Sequence, residues 1–561
     1  MVGRRAWALA GAGVLLLGAG WVAQASYRGV RADLQVERDR HGEPVVGSRV
    51  CLRCHEDHHA SWARTHHARM TQTATPAAVL GDFDDGVLRY RGLTATMTHE
   101  GDRYRVRVRD GDELVSDDEV RMTIGSRRIQ QYVAERAGPS GPELVRLPVA
   151  WHVEEGRWIP MNGAFLTADP EVGPDFERHV TRWNDNCVFC HNVAPNPGLQ
   201  RDGGFDTEVG ELGVACEACH GPGAEHVAQN TNPLRRYVLH HGEDRDPTIT
   251  NPDRLDARGS SDVCGRCHGQ RMADDVGPFL RRGDPFVPGD DLAAYSEPLW
   301  RTSTLNGEPL FADRFWPDGT PRLTAYEYQG WLQSPCTEGG ELACTTCHGM
   351  HGADPAGQIR EEAIAHVSGE ERLGAGACIN CHPGPAEDEH DGHGGQVACP
   401  DCHMPRVVYG VIDVHRSHRI AKPDPTGQET GHPAACVLCH LDWNDDWGQR
   451  QVFGGDPVER AVAAAAWGRS PTVDPGVARG ILLEVMRGDD YPAVRRIAFR
   501  ALRGRIDPEP AWIAFDPTGE QALRERQVDA LAAEGSVQAP DADEVRAWRT
   551  QAEDHAIWIG E

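Results

Sequence analysis

The chain has 561 residues, a formal net charge of −28 and seventeen cysteines. Acidity on that scale excludes nucleic-acid backbones and anionic lipid surfaces as natural partners, and favours basic partners or plain solubility. Lys422 is the only lysine, so almost all cationic chemistry falls to arginine.

Taken in chain order, residues 1–25 read as an export signal. Arg4 and Arg5 precede an apolar run from Trp7 to Ala23, and Ala23-Gln24-Ala25 offers a small-x-small cleavage site before Ser26. The run is short and rich in Gly and Ala for a bilayer span. The expectation is a periplasmic protein; left uncleaved, with Trp21 and Tyr27 at an interface, the segment would anchor it to a membrane.

Residues 26–79 carry the first copy of a pentapeptide, Cys-x-x-Cys-His, that recurs eight times. The copies are Cys51, Cys54 and His55; Cys187, Cys190 and His191; Cys216, Cys219 and His220; and Cys264, Cys267 and His268. They continue with Cys344, Cys347 and His348; Cys378, Cys381 and His382; Cys399, Cys402 and His403; and Cys436, Cys439 and His440. Only Cys336 is left over, for which an inert buried thiol is the plain reading and an iron ligand or reactive site the other.

Chance at this composition gives roughly 0.02 copies of the pattern, which is the c-type haem attachment signature. Two cysteines three apart on one helical turn can form thioethers to the two haem vinyl groups. The following histidine then reaches the iron from the same face as its proximal ligand. Structural zinc would draw its other ligands from a distant, variably spaced pair, and a disulfide framework would not need the histidine. The cofactor set is therefore eight covalently bound haems c with their iron. Without a second lysine, and with Lys422 outside any motif, no site is a Cys-x-x-Cys-Lys.

Residues 80–180 alternate in the strand period. Tyr104, Val106 and Val108 share one face, Arg103, Arg105, Arg107 and Arg109 the other, between turns at Glu100-Gly101-Asp102 and Asp110-Gly111-Asp112. Val120-Met122-Ile124 and Val145-Leu147-Val149-Trp151 continue the pattern. A small antiparallel β insert is expected, as a shield over the first haems or as a docking surface. Residues 181–445 pack seven motifs into little chain, so the haems must supply the core among short helices and irregular loops. Residues 446–561 turn helical, with Asp456-Pro457 and Asp474-Pro475 as N-cap and N1 pairs and an apolar stripe of Val494, Ile497, Ala498, Ala501 and Leu502. They read either as a HEAT-like helical array or as a cap on the haem domain. The fold class is thus a mainly α and irregular multihaem domain with a haem-filled core, the β insert and a helical repeat-like tail.

The sixth position of each iron decides its chemistry: histidine gives a low-potential carrier, methionine raises the potential, and an open site permits catalysis. Non-motif histidines cluster beside the motifs: His58, His59, His66 and His67; His226; His351; His390 and His393; His415 and His418. His41, His99, His152 and His555 read as ordinary histidines, and His432 lies close to Cys436.

Four stretches resemble periplasmic multihaem cytochromes c of the tetrahaem-carrier superfamily. They are Val46-Gly-Ser-Arg-Val-Cys-Leu-Arg-Cys-His55 with Trp62-Ala-Arg-Thr-His-His67, Cys216-Glu-Ala-Cys-His-Gly-Pro-Gly-Ala-Glu-His226, Cys399-Pro-Asp-Cys-His-Met-Pro405, and Ser417-His418-Arg-Ile-Ala-Lys-Pro423. The resemblance covers about 47–440 and is closest to large bacterial multihaem proteins with TPR or HEAT-like repeats behind the haem domain. It implies His67, His226, His351, His393 and His418 as distal ligands. The expected function is electron transfer between redox protein partners through mostly bis-histidine haems. The alternative is an octahaem oxidoreductase acting on a small nitrogen or sulfur compound at one five-coordinate haem.

Overall fold

The structure, a computed structural model, describes residues 2–168, 181–352, 358–367, 370–373, 375–382, 393, 397–424, 431–443, 446–505, 515–533 and 535–557. Of the histidines singled out above, His390 lies outside these. A helix over Val2–Asp33 opens the chain and runs through the expected cleavage site. No helix among the described residues is long and apolar enough to cross a membrane.

The sheet is the largest regular element. Strands β1 (Thr71–Thr73), β2 (Gly86–Tyr90), β3 (Leu93–Glu100), β4 (Arg103–Asp110), β5 (Glu113–Ile124), β6 (Ile129–Gly138), β7 (Gly141–His152) and β8 (Arg157–Pro160) form it. β2 to β8 pair antiparallel in chain order and β1 adds to β5. The alternation in β4 sets the register: Tyr104, Val106 and Val108 are buried, and the arginines between them face outward. Slipping by one residue would drive those arginines inward, so the pairing is strongly specified. Outside, Arg103 reaches Glu119 at 2.5 Å, and Arg105 and Arg107 both reach Asp117 at 2.9 Å. Such exposed pairs each contribute little; the apolar face holds the sheet. There Phe83 meets Tyr104, Tyr132 and Trp158 edge-on, with ring centres 5.0–5.3 Å apart.

The first and last strands curl toward each other. Trp158 Nε1 donates to the Asp82 carbonyl at 2.8 Å, and its indole lies where a Cβ on Gly86 would stand. The result is an antiparallel, nearly closed barrel-like sheet in a mixed α/β chain. The reading of a mainly α and irregular chain with a small insert understated it, because alternation marks the faces of single strands but not how the first and last of them come together.

The tail folds into packed helices. Asp456 caps Pro457–Arg469 by accepting from the Val458 and Glu459 backbones, and Asp474 caps Pro475–Gly488 in the same way. Pro492–Arg503 buries Val494, Ile497, Ala498 and Leu502. These residues share one hydrophobic cluster with Met161, Leu166, Trp316, Leu323, Tyr409 and Val414. The tail therefore packs as a cap on the end of the sheet and on the segments around Trp316 and Tyr409.

Charges buried at that seam fix its angle. Arg496 is fully buried and donates from Nη1 to both Glu155 oxygens, at 2.8 and 2.7 Å. Arg157 also reaches Glu155, at 2.6 Å. Burial alone would raise the Glu155 carboxyl, but the charges of Arg496 and Arg157 outweigh it and bring it down to about 2. His152 is buried beside them and is pulled down to about 4, by burial first and then by the neighbouring arginines against the attraction of Glu155.

Glu155→Ala strips the partner from a buried guanidinium and is expected to cost about 3–5 kcal/mol in denaturant titrations. The pH dependence has one sign. His152 is neutral in the folded state and protonates when unfolded, so stability falls from about pH 6.5 to about 4. Glu155 contributes above its unfolded value and loses its share from about 4.5 down to about 2. A flat stability profile between pH 7 and 4 would contradict this reading.

Candidate functional site

One continuous cavity of about 4840 Å³ runs among the motifs and reaches the sheet at Ile124, Ile129 and Gln131. Every motif cysteine except Cys439 lines it, and every motif histidine except His440. Shared among eight motifs it leaves about 600 Å³ each, the size of an ordinary single-cofactor pocket.

The motifs are fastened by polar contacts. Glu217, between the two cysteines of the third motif, is buried and accepts from the backbones of Val46 (2.9 Å), Gly47 (2.7 Å) and Gly223 (2.7 Å). Gly47 has φ +83°, a conformation that other residues rarely adopt. Glu211 takes the Ser48 backbone at 2.9 Å. Trp62 Nε1 donates to the Val214 carbonyl at 2.9 Å, and the Val214 backbone N–H donates to the His67 carbonyl at 2.9 Å. The first and third motifs are thereby sewn together, and the thiols of Cys51 and Cys216 come into contact.

The histidines come in pairs. His55 and His226 have ring centres 6.2 Å apart, His220 and His351 6.4 Å, and His348 and His418 6.3 Å, each nearly parallel. His268 and His67 stand 6.0 Å apart and perpendicular, and His440 and His393 6.1 Å apart. Each of these pairs joins one motif histidine to one of the five proposed distal histidines. A metal held axially by two imidazoles, with about 2.0–2.1 Å to each nitrogen and about 1.1–1.2 Å more to each ring centre, sets those centres about 6.2–6.6 Å apart. Rings at this spacing suit an iron between two axial ligands. They do not converge as zinc ligands do, and among the described residues no group of three or more candidate ligands gathers around one point.

The second ring nitrogens are held from behind. His220 Nδ1 faces the Thr250 carbonyl at 2.7 Å, His348 Nδ1 that of Gln358 at 3.1 Å, and His403 Nδ1 that of Ala421 at 2.8 Å. Carbonyl acceptors fix the tautomer, keep the proton on Nδ1 and leave Nε2 free toward the cavity. Burial pulls His67 and His191 down to about 4, so both are neutral, the form that binds a metal. His268 goes the other way: burial opposes the charge, but the Glu327 carboxylate overrides it and pushes the ring up to about 9.

The other clustered histidines are placed differently. His58 lies 6.2 Å from His55 but sits one helical turn along, on the same side of it. His59 packs on Trp62, and His66 Nδ1 meets Ser126 Oγ at 3.0 Å. His415 faces Arg128 at 2.6 Å and is pushed down to about 4 by burial and that guanidinium. His99 and His152 belong to the sheet, His41 faces Asp290, His432 faces Asp318, and His555 faces Asp313. Among the described residues no imidazole stands across from His191 or His382 at the paired spacing. Sequence reasoning missed the groups behind the rings: Asp246, Glu327, Gln358 and the backbone carbonyls. Gln358 stands out because its carbonyl holds His348, its amide lies 2.9 Å from His67 Nδ1, and its φ is +57°.

No family model matches the chain, and no curated protein matches it. Among solved structures, the crystal structure of the outer cell wall cytochrome OcwA aligns at 17% identity over 86% of this chain and 99% of that one, with a TM-score of 0.44. A likeness of that size carries no argument about this chain.

Glu217→Ala would leave three backbone N–H groups without their acceptor. The expected loss is about 2–4 kcal/mol, read as a lowered unfolding midpoint, with Glu217→Gln recovering part of it. An unchanged midpoint would remove Glu217 from the framework of the site.

Proposed function

We propose that this chain is an exported octahaem c-type cytochrome that carries electrons between redox protein partners. The observation that carries the reading is the set of five imidazole pairs, each one motif histidine and one outside histidine across a metal-sized gap. The residues that would hold the haems are the sixteen motif cysteines and eight motif histidines, with His67, His226, His351, His393 and His418 as second axial ligands. Bound there, the haems would supply one-electron chemistry at iron.

The chain's own geometry supports a continuous path. Cys51 contacts Cys216, Cys190 contacts Cys267, Cys264 contacts Cys344, and Cys378 contacts Cys399. Cys219 lies within electrostatic reach of Cys267, and Cys347 of Cys378. The helix Cys399–His403 packs on Ala435–Cys439. The motifs therefore follow one another in the order first, third, fourth, fifth, sixth, seventh, eighth, with the second joined at the fourth. Electron tunnelling decays steeply with distance, and an unbroken succession of this kind is what a carrier needs.

The side chains do the rest of the work. They seat the rings for the iron, whose histidine ligands would favour the ferric state and low potentials. The acidic surface selects basic partners. A second reading, an oxidoreductase acting on a small nitrogen or sulfur compound, is favoured by one observation: His191 is drawn down by burial yet faces no imidazole among the described residues.

Mass spectrometry of the mature holoprotein is expected to show eight covalent haems; fewer than seven would defeat the reading. Its ferric EPR spectrum is expected to be low-spin throughout and unchanged by cyanide or nitrite. His418→Met should disturb one low-spin signal only. A high-spin signal near one haem in eight that cyanide quenches would move the function to the oxidoreductase.

A further inference from the structure

The groups behind the imidazoles of the site differ in charge. Three motif rings face backbone carbonyls, whereas His226 and His268 face carboxylates. His226 Nδ1 lies 3.1 Å from Asp246 Oδ2. Asp246 is itself locked in place: Asn230 donates to Oδ2 at 2.8 Å, while Oδ1 takes the Thr248 backbone at 3.0 Å, its hydroxyl at 2.6 Å and Arg235 at 2.8 Å. Arg235 is buried and divides its charge between Asp246 and Asp33, so it does not cancel Asp246 alone.

Around His268 the arrangement is different but the charge is the same. The Tyr328 backbone donates to the His268 carbonyl at 2.9 Å, which sets neighbouring Glu327 beside the ring. Glu327 Oε1 takes Thr324 Oγ1 at 3.2 Å, while Oε2 is buried without a hydrogen-bond partner and lies 3.8 Å from His268 Nδ1. At that distance the interaction is electrostatic rather than a hydrogen bond. The ring opposite, His67, has only the neutral amide of Gln358 behind it.

We infer that Asp246 and Glu327 are positioning residues that set the first and fourth motifs apart as the lowest-potential sites of the chain. This rests on the haem reading above. A carboxylate behind an axial imidazole favours ferric over ferrous iron, by drawing the Nδ1 proton where it is within hydrogen-bond reach, as at Asp246, or by its negative charge alone, as at Glu327. A carbonyl does this less, because it carries no net charge. One such site lies at the start of the contiguous path, the other where the second motif joins it.

The test uses the full-length holoprotein in spectropotentiometric titration with parallel EPR. Asp246→Asn and Glu327→Gln keep shape and remove charge. Each is expected to raise one component by about tenfold in its ferrous-to-ferric ratio, which is about 59 mV for one electron, and to alter one low-spin signal. The double variant should move two components. Asp246→Glu and Glu327→Asp, which keep the charge, should stay closer to the parent than the neutral variants. Thr248→Val removes a hydroxyl that shares the Asp246 charge and should lower the first component, a sign that loosened packing would not give. Fully loaded neutral variants whose titrations superimpose on the parent would overturn the proposal, as would charge-keeping variants that move as far as neutral ones. Absence of haem from the parent's Cys51–His55 or Cys264–His268 peptides would instead strike the haem reading itself.

Discussion

A gap of 6.0–6.4 Å between paired imidazole rings governs the middle of this molecule. Two imidazoles so spaced gain nothing from each other, and burying them costs free energy unless their polar atoms find partners. The surrounding chain is arranged to that end. Behind His220, His348 and His403 it supplies a carbonyl acceptor at Nδ1 and leaves Nε2 for a metal, so these rings are useful only with something in front of them.

The same constraint explains where the apolar core is and is not. The sheet has its own cluster around Met97, Tyr132 and Leu147, and the cap shares another with Trp316 and Tyr409. Among the motifs only small sets remain, such as Phe286, Leu292, Tyr328 and Trp331. Side-chain packing therefore cannot hold the motifs in register, and buried carboxylates take over: Glu217 and Glu211 bind the first motif to the third, and Asp246 binds its neighbours around His226. Such groups are costly when left unpaired, which makes the framework specific as well as stable.

The legible parts of the sequence were those with a fixed local spacing. Cys-x-x-Cys-His carries its chemistry within five residues, Asp-Pro marks a helix start within two, and alternating Tyr104, Val106 and Val108 marks a strand face. The five histidines proposed as second ligands were visible only through clustering and resemblance, since residues such as His67 and His268 meet across some two hundred positions. The acceptors behind the rings were not legible at all. A backbone carbonyl has no residue type, and Asp246 is twenty residues from His226 in an otherwise acidic chain. The closing of the sheet on itself was hidden for a similar reason, since it depends on the room that Gly86 leaves for Trp158.

The cap then has a role that its helices alone do not reveal. Ser470 Oγ donates to the Cys439 carbonyl, and the helix Pro457–Arg469 packs on Ala435–Cys439. Arg322 pairs with the N-cap residue Asp456, and Arg496 with Glu155 beyond the end of β7. The last motif is thereby referred to the sheet through rigid, well-packed helices rather than through the loops between motifs. With apolar cores at the periphery and polar fastenings in the centre, the centre has the least apolar packing to resist local opening. Spacing between successive motifs has to survive that softness. Fixing the far end of the series to the sheet achieves it without demanding a hydrophobic core where the cofactors would lie.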